Sequence, residues 1–378
     1  VRYNPAGVAR LEGLQFQAGL DFQPLKDLTD TAGQSDLAHH VIQFPPALYA
    51  TWKPEALGVP LTFGFSLDAP FWTITNWDTA LFPGRFQTIR QETTLFELRP
   101  TLAWAIDERW SLGGSLRYVR GGYETSFASI DQVLVGPQDL AQVEIHGEAA
   151  SQINGLGFDL GVQYAAANWG WGAVFGSGVS LDGGGDISYY PREPFSDAQG
   201  QAAFDRRFYP SSVQMNFELP PTASVGLWWG ITDSLKLEGD VVWSGWAALD
   251  RTTIDLAQDP YSHGYFPAPQ ALDRPRDWED VVSLRLGAEW TLSPMWALGA
   301  GFAFEPSPVP DETLEPGYSQ GDTTVVAFGA SCNLEGLSFD VGYSFHQSDD
   351  REGEIYYSSP GTFSGRAQVF SISARWRR

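Results

Sequence analysis

Cysteine, methionine and charged residues are all scarce in this chain of 378 residues. The single cysteine, Cys332, cannot form an internal disulfide and has no second thiol beside which to build a zinc or iron–sulfur site, so these cysteine-based sites are excluded. Charged residues make up 18% of the chain, below the roughly 25% of a typical soluble protein. Because 23 basic residues face 46 acidic ones, the net charge of −23 would repel a phosphate backbone, and no nucleic acid is expected as a partner.

A continuous apolar run is also lacking. The longest stretch without a charged residue, 160–181, is interrupted by five glycines and favours two strands around a turn over a membrane helix. Residues 1–17 contain no basic segment followed by an apolar run, so no signal peptide is visible and we expect a mature or trimmed start.

Strict alternation of apolar and polar residues is the pattern that dominates the chain. In residues 61–68, leucine and phenylalanine at odd positions alternate with threonine, glycine, serine and aspartate at even positions. A two-residue period is typical of a β-strand with one apolar face. The period predicts fourteen strands, at residues 13–23, 45–53, 59–70, 91–106, 110–120, 153–165, 170–180, 219–230, 235–248, 278–291, 295–305, 322–333, 338–348 and 366–378.

The connections between these predicted strands alternate between long and short along the whole chain. Such an order predicts an up-and-down meander with all long loops at one end of a barrel. Bacterial outer-membrane barrels have this layout, with an even strand number and tight turns on the periplasmic side. We therefore predict an all-β fold: a 14-stranded antiparallel transmembrane β-barrel in the outer membrane, with short periplasmic turns and long extracellular loops.

A soluble barrel or sandwich would show the same period, but its polar face would point outward. Here the polar face combines glycine and serine with charges of both signs, which suits a lumen, whereas the other face is almost free of charge, as lipid contact requires. Pro100 cannot donate to a strand ladder, so we expect a bulge there. Tryptophans beside the short turns predict an interfacial girdle: Trp104, Trp110, Trp228, Trp229, Trp290 and Trp296.

Catalysis and metal binding find no support in the residue spacing. None of the five histidines has a serine or carboxylate at a recognisable triad spacing. The segment from Asp182 to Asp186 is too short and too rich in glycine to predict a calcium loop. We expect no enzyme activity, no metal site and no cofactor.

The segment before the first predicted strand reads Tyr3-Asn4-Pro5-Ala6-Gly7. An Asn-Pro-Ala just before the first strand of a fourteen-stranded barrel resembles the FadL family of outer-membrane transporters for long-chain fatty acids and other hydrophobic compounds. Three further stretches are similar to the same family: residues 98–104 running into 107–112, residues 219–224 running into 232–233 and 243–246, and residues 276–280 running into 284–290.

The resemblance implies a plugged barrel that moves hydrophobic molecules passively inward. Residues 1–12 would be the remnant of an N-terminal hatch, with Asn4, Pro5 and Ala6 at its turn, and residues 13–378 would form the barrel. An inward kink in the third strand would open a lateral exit toward lipid, which we place at Gly64, Ser66 and Asp68, although these residues could also simply line the lumen. Family members have a longer hatch upstream of this motif and generally end on an aromatic residue, whereas this chain ends Arg377-Arg378.

Two predicted long loops hold more apolar residues than solvent-facing segments usually carry, and such clusters commonly mark a binding surface. By resemblance they would capture the substrate, but they could instead pack on each other as a rigid lid. The candidates are Phe127, Ile130 and Leu134 in one loop and Phe195, Phe204, Phe208 and Tyr209 in the other.

A fatty-acid substrate would need a cation for its carboxylate. The luminal candidates are Arg99, Arg117, Lys236 and Arg285, each of which could equally pair with a neighbouring luminal Asp or Glu. The expected partners are thus a fatty acid or another hydrophobic small molecule, together with outer-membrane lipid and lipopolysaccharide, and a monomer is expected. The alternative is a surface receptor or adhesin whose barrel serves only as an anchor.

Overall fold

The computed structural model describes residues 3–24, 27–28, 42–54, 58–77, 82–134, 140–256, 271–353 and 361–378. These residues form a closed antiparallel barrel of fourteen strands, which confirms the predicted fold. Closure is direct, because the first strand pairs with the second on one side and with the last on the other, through Gln15↔Thr51 and Gln15↔Arg377. The strands are β1 (Leu14–Pro24), β2 (Pro46–Trp52), β3 (Leu61–Asn76), β4 (Arg90–Ala105), β5 (Trp110–Leu134), β6 (Leu140–Ala165), β7 (Trp169–Gly176 and Val179–Pro191), β8 (Ser211–Leu219 and Thr222–Gly230), β9 (Leu235–Ser244 and Arg251–Leu256), β10 (Ala271–Pro275 and Val281–Thr291), β11 (Trp296–Glu305), β12 (Thr323–Leu334), β13 (Leu337–Gly353) and β14 (Gly361–Arg377).

Helices are few and short. The described residues contain one α-helix, α1 (Ala198–Arg207), which follows β7, and no helix in them is long and apolar enough to cross a membrane. They also contain four 3-10 turns: Pro5–Arg10, Pro83–Phe86, Trp246–Ala248 and Asp311–Thr313. Two-residue segments, Asp27–Leu28 and Ile42–Gln43, extend the pairing beside β14 and β1.

The alternating period places apolar side chains outside and polar side chains inside. On β6, Leu156 and Leu160 are 72% and 58% exposed, while Asp159 between them is only 7% exposed. The outward face is therefore apolar, which is the arrangement that hydrocarbon requires and the reverse of a soluble barrel.

Strands β5 and β6 are much longer than predicted and pair continuously from Trp110↔Tyr164 to Leu134↔Leu140. Residues 121–152, expected to be a long loop between two predicted strands, are thus mostly a hairpin of β5 and β6. About 9 to 11 tilted residues cross the hydrocarbon, so the distal halves of these strands project beyond it.

Strands β7 to β10 are all interrupted at one level of the barrel. The breaks fall at residues 177–178, 220–221, 245–250 and 276–280, and the first two lie opposite each other between Gly176↔Thr222 and Val179↔Leu219. Pro220 and Pro221 have no backbone N–H to donate, which explains the break in β8. The breaks separate a polar periplasmic half of the lumen from an apolar extracellular half.

The bulge expected at Pro100 is absent from the described ladders. The pairing of β4 with β5 omits Arg99 and Pro100 but keeps its register from Leu98↔Tyr118 to Thr101↔Ser115. A missing N–H removes a hydrogen bond from a ladder without requiring an extra residue. The register shift lies instead between β3 and β4, between Asp68 and Phe71.

Candidate functional site

The Asn-Pro-Ala segment lies inside the periplasmic end of the barrel. Asn4 Oδ1 accepts a hydrogen bond from the Ala6 N–H at 2.9 Å, and Asn4 Nδ2 donates to the carbonyl oxygens of Val162 at 3.1 Å and Ala173 at 3.5 Å. Pro5 and Ala6 are buried in the short 3-10 turn that follows.

Glycines in the wall make room for this segment. A Cβ atom at Gly161 would lie 2.2 Å from Asn4 Oδ1, and one at Gly113 would lie 2.4 Å from the Ala6 nitrogen. Any side chain at these inward positions would expel the segment, so the glycines on β5 and β6 define the seat on which it rests.

A buried charge cluster lies above this seat. Glu97, which is fully buried, accepts hydrogen bonds from Arg99 Nε at 3.0 Å and Arg117 Nε at 2.7 Å. Asp159 lies 3.5 Å from Arg99 Nε, and Asp68 is close enough to Arg117 to interact with it electrostatically. Three carboxylates thus surround two guanidinium groups, and this floor has no excess positive charge to offer an anionic substrate.

The extracellular half of the lumen encloses an apolar cavity of about 410 Å³. Four aromatic rings in edge-to-face contact run along its lining: Phe71 and Trp246 have ring centroids 6.3 Å apart, Trp246 and Trp278 5.0 Å, and Trp278 and Tyr318 5.1 Å. We call this space the aromatic chamber. Its volume falls within the roughly 300 to 1,000 Å³ of typical small-molecule sites.

The loop between β11 and β12, residues 306–322, roofs the aromatic chamber. Its residues Val309 and Leu314 are buried, and Arg351 Nη2 donates to the Val309 carbonyl oxygen at 2.9 Å, which holds the loop in place. Trp77 Nε1 donates to the Pro316 carbonyl oxygen at 3.3 Å from the opposite side. A loop expected on the outside therefore forms part of the site.

Two arginines that the sequence analysis did not single out lie at this roof. Arg276 is 1% exposed, its Nη1 donates to Glu315 Oε1, and its Cζ lies 4.7 Å from the centre of the Tyr318 ring. Arg274 Nη1 lies 3.6 Å from Glu315 Oε2. The signal in the sequence for Arg276 was its place in the stretch 276–280, noted for its family resemblance, and Arg274 lies outside that stretch.

The predicted capture residues fall into two different environments. Phe127 is buried in the core of the barrel, whereas Ile130 on the same strand is 46% exposed. The backbone of Leu134 ends β5, and its side chain lies outside the described residues.

The capture residues of the second loop form a small core around α1. Phe204 is 1% exposed and contacts Phe195 and Phe208, with ring centroids 6.0 and 5.0 Å away. Tyr209 is half-buried at the end of this segment. We call this group the α1 cluster.

Glu144 ties the α1 cluster region to a neighbouring loop. Arg85 Nε and Arg192 Nη1 each donate to its carboxylate at 2.9 Å, from two different loops. Partial burial by itself would raise the pKa of Glu144, but the hydrogen bonds from both arginines outweigh it and hold this pKa below its ordinary value.

Gly64, Ser66 and Asp68 lie within an intact part of the wall. All three pair with β2 and with β4, through Thr51 and Thr101 in the case of Gly64. The irregularity in β3 begins immediately after Asp68, at Ala69 and Pro70.

The remaining predicted cations both have acidic neighbours. Lys236 Nζ lies 3.4 Å from Glu238, and Arg285 Nη2 lies 3.0 Å from Glu305. Both pairs are more than a third exposed, so each contributes little to stability.

Comparison with known proteins assigns this sequence to a family. The sequence matches the family described as outer membrane protein transport protein (OMPP1/FadL/TodX) over residues 1–377. No curated protein matches the sequence significantly.

Solved structures share the fold at low sequence identity. A crystal structure of a Pseudomonas aeruginosa FadL homologue is 16% identical, with a TM-score of 0.80, and the alignment covers 99% of this chain and 92% of that one. The Pseudomonas putida toluene transporter TodX is 14% identical, with a TM-score of 0.73 and coverage of 100% and 93%. The Ralstonia pickettii toluene transporter TbuX is 16% identical, with a TM-score of 0.70 and coverage of 99% and 92%.

The family and these neighbours are transport channels rather than enzymes, which confirms the expectation that the chain is not an enzyme. They also confirm the outer-membrane location and the resemblance inferred from the sequence. The chain belongs to the FadL/TodX family of outer-membrane channels for hydrophobic compounds.

Proposed function

We propose that this protein takes up long-chain fatty acids or aromatic hydrocarbons and holds them in the aromatic chamber during passage. The single observation that carries the proposal is an apolar cavity that lies above a buried charge cluster in the lumen. A hydrophobic molecule gains about 25 cal/mol for each Å² of apolar surface removed from water, so it would collect in the chamber. A continuous water-filled pore would offer no such gain.

The route begins at the extracellular apolar residues. Ile130 on the projecting part of β5 supplies apolar surface above the membrane, where capture would occur, and the buried α1 cluster would hold the neighbouring loop in shape. The roof loop then separates this surface from the chamber, so passage requires that loop to move.

The exit would be lateral and near β3. Phe71 lines the chamber directly after the irregularity at Ala69 and Pro70, and outward-facing Trp72 follows it. A break in register at this point weakens the ladder between the chamber and the lipid. Gly64, Ser66 and Asp68 would then form the lower edge of the opening.

Residues 1–12 would act as the hatch. Asn4, Pro5 and Ala6, which rest on the glycine seat, would close the periplasmic end below the charge cluster and keep ions from leaking while the substrate leaves sideways. Movement of the segment off its glycine seat would accompany transport.

The test is uptake by cells that carry or lack this protein. We expect protein-dependent uptake of a labelled long-chain fatty acid or of a labelled alkylbenzene, and the preferred label identifies the substrate. Ala367→Trp, which fills the chamber, should reduce uptake, whereas Ala374→Trp on the lipid-facing side of the same strand should not. Equal uptake with and without a folded, surface-displayed barrel would overturn the proposal in favour of a receptor or adhesin.

A further inference from the structure

Trp278, which lines the aromatic chamber, has a buried indole N–H that lacks an acceptor. The residue is only 7% exposed, and its Nε1 has no hydrogen-bond partner among the described residues. The ring contacts Trp246 and Tyr318 edge-to-face instead, with centroids 5.0 and 5.1 Å away. Since a ring face is a weak acceptor at best, burial of this N–H is costly until an oxygen reaches it.

The backbone on both sides of Trp278 holds the indole in this position. The N–H of Asp277, a residue with a φ of +48°, donates to the Asp250 carbonyl oxygen at 3.0 Å. On the other side, the Glu279 N–H donates to the Pro308 carbonyl oxygen at 2.8 Å. A side chain fixed in this way is a preorganised donor, because it does not pay for ordering when a ligand binds.

A second polar group without a partner lines the same chamber. Thr93 is 5% exposed, and its Oγ1 has no hydrogen-bond partner in the part of the chain that the structure describes. Thr93 lies on β4 and Trp278 in the break of β10, strands that stand six places apart in a barrel of fourteen. The two groups therefore approach the chamber from nearly opposite walls, and a threonine hydroxyl can both donate and accept.

The charged residues of the lining do not suit an anionic ligand. Besides His346, the described lining has two of them, Glu305 and Arg366. Glu305 lies 3.0 Å from Arg285, and the exposed Arg366 donates through Nε to Gln347 Oε1 at 2.8 Å. A carboxylate would meet the negative charge of Glu305 beside an apolar surface, whereas an uncharged oxygen would not.

We propose that the aromatic chamber selects uncharged hydrophobic molecules that carry an oxygen acceptor, such as aryl ketones, esters and alcohols, and that Trp278 Nε1 donates the selecting hydrogen bond. This inference rests on the proposed function and names the substrate class of the same chamber. The apolar body of the ligand packs against the aromatic rings while its oxygen accepts from Trp278. Thr93 then bonds a second polar group where the ligand has one.

Selection follows from the cost of an unpaired donor. A plain hydrocarbon fills the same space but leaves the buried indole N–H without an acceptor. Sites built to hydrogen-bond a ligand discriminate against the analogue that lacks the polar group for this reason. Because the ligand oxygen also gives up its own hydration, the net preference from one neutral hydrogen bond is about tenfold.

The experiment compares radiolabelled acetophenone with ethylbenzene, which has the same ring and a two-carbon substituent but no carbonyl oxygen. Both ligands are titrated against the full chain in lipid nanodiscs, and empty nanodiscs measure their partition into lipid. After this correction, acetophenone should bind about tenfold more tightly than ethylbenzene. Trp278→Phe should abolish the preference. Trp246→Phe is the matched control, since it makes the same exchange of rings in the same chamber and should preserve the preference.

Infrared spectroscopy of acetophenone labelled with carbon-13 at its carbonyl provides a second readout. A hydrogen bond from Trp278 lowers the carbonyl stretching frequency below its value in empty nanodiscs, and Trp278→Phe should restore that value. If the variant does not form a heat-modifiable barrel, the unmodified protein decides the question: a lowered frequency supports the inference, and an unshifted band overturns it.

Equal lipid-corrected binding of the two ligands, or a preference that Trp278→Phe leaves unchanged, would overturn this inference while leaving the proposed function intact. Tighter binding of benzoate than of acetophenone would do the same, because the chamber would then select an anion. Absence of binding of all three ligands to the unmodified protein would overturn the proposed function and this inference with it.

Discussion

Replacing Gly161 with alanine should release the N-terminal segment from its seat in the barrel. The added methyl carbon would lie 2.2 Å from Asn4 Oδ1, a distance that real Cβ atoms essentially never show, and a tight 3.0 Å from Pro5 Cδ. The neighbour at risk is a capping side chain that is held from two sides, so it has no free direction in which to shift.

The size of the effect follows from what Asn4 loses. Its side chain makes three hydrogen bonds, to Ala6, Val162 and Ala173, and the last is long at 3.5 Å. At about 1 kcal/mol for each bond, the loss is about 2 to 3 kcal/mol. Since about 1.4 kcal/mol is a factor of ten, the undocked fraction should rise by roughly 30- to 140-fold.

Limited trypsinolysis of the purified barrel measures this fraction. Arg10 lies at the end of the docked turn, where its Nη1 donates to the Glu108 carbonyl oxygen, so cleavage after Arg10 requires undocking. The cleavage rate follows the open population when docking is fast compared with cleavage. Gly114→Ala is the matched control, because its methyl carbon would make only ordinary contacts at 3.6 Å. Equal cleavage rates for Gly161→Ala, Gly114→Ala and the unmodified protein would refute the reasoning.

Three further predictions concern the charge cluster and the extracellular loops. Glu97→Gln should lower barrel stability by about 3 to 5 kcal/mol in urea unfolding, because it removes the carboxylate to which both buried arginines donate. Glu238→Gln in an exposed pair should change it by less than about 1 kcal/mol, and equal effects would contradict the assignment. The stabilisation that Glu144 gives to the loops of Arg85 and Arg192 should be fully present above its ordinary pKa of 4.5 and be lost as pH falls through the lowered pKa. The loss should appear as faster hydrogen exchange near Arg85 and Arg192 after correction for the intrinsic exchange rate. Exchange in Glu144→Gln should lack this pH dependence. Phe204→Ala should destabilise the α1 cluster by about 3 to 5 kcal/mol and remove exchange protection from Ala198–Arg207, while Phe175→Ala on the lipid face should leave that helix protected.

The sequence predicted the barrel well and the candidate site only in part. Alternation located all fourteen strands, because each barrel strand separates lipid from lumen and so repeats every two residues. It also predicted that Arg99 and Arg117 face inward, where they contact Glu97. It did not predict the extent of β5 and β6, since the outer face of a strand above the membrane meets water and need not be apolar, as at Glu124.

The local sequence pattern did not predict that the loop 306–322 roofs the chamber. Residues 306–322 carry four prolines and several acidic residues, a composition typical of an exposed loop, yet Leu314 and Glu315 are buried. Their burial depends on where the barrel directs the loop, which no neighbouring residue determines. For the same reason Arg276 could be recognised as part of a resemblance but not as a buried cation.

The sequence itself determined four properties: the strand number, the closure, the membrane orientation and the apolar outer face. Each follows from the alternation of apolar and polar residues, because successive side chains of a barrel strand face lipid and lumen in turn. Tertiary structure alone decided which distant residues meet. Asn4 contacts Val162 across 158 positions of the chain, and Arg276 contacts Glu315 across 39. These pairs form only once the barrel has closed and its strand breaks have set the level of the chamber, so the seat of the N-terminal segment and the Arg276–Glu315 contact are products of the closed fold.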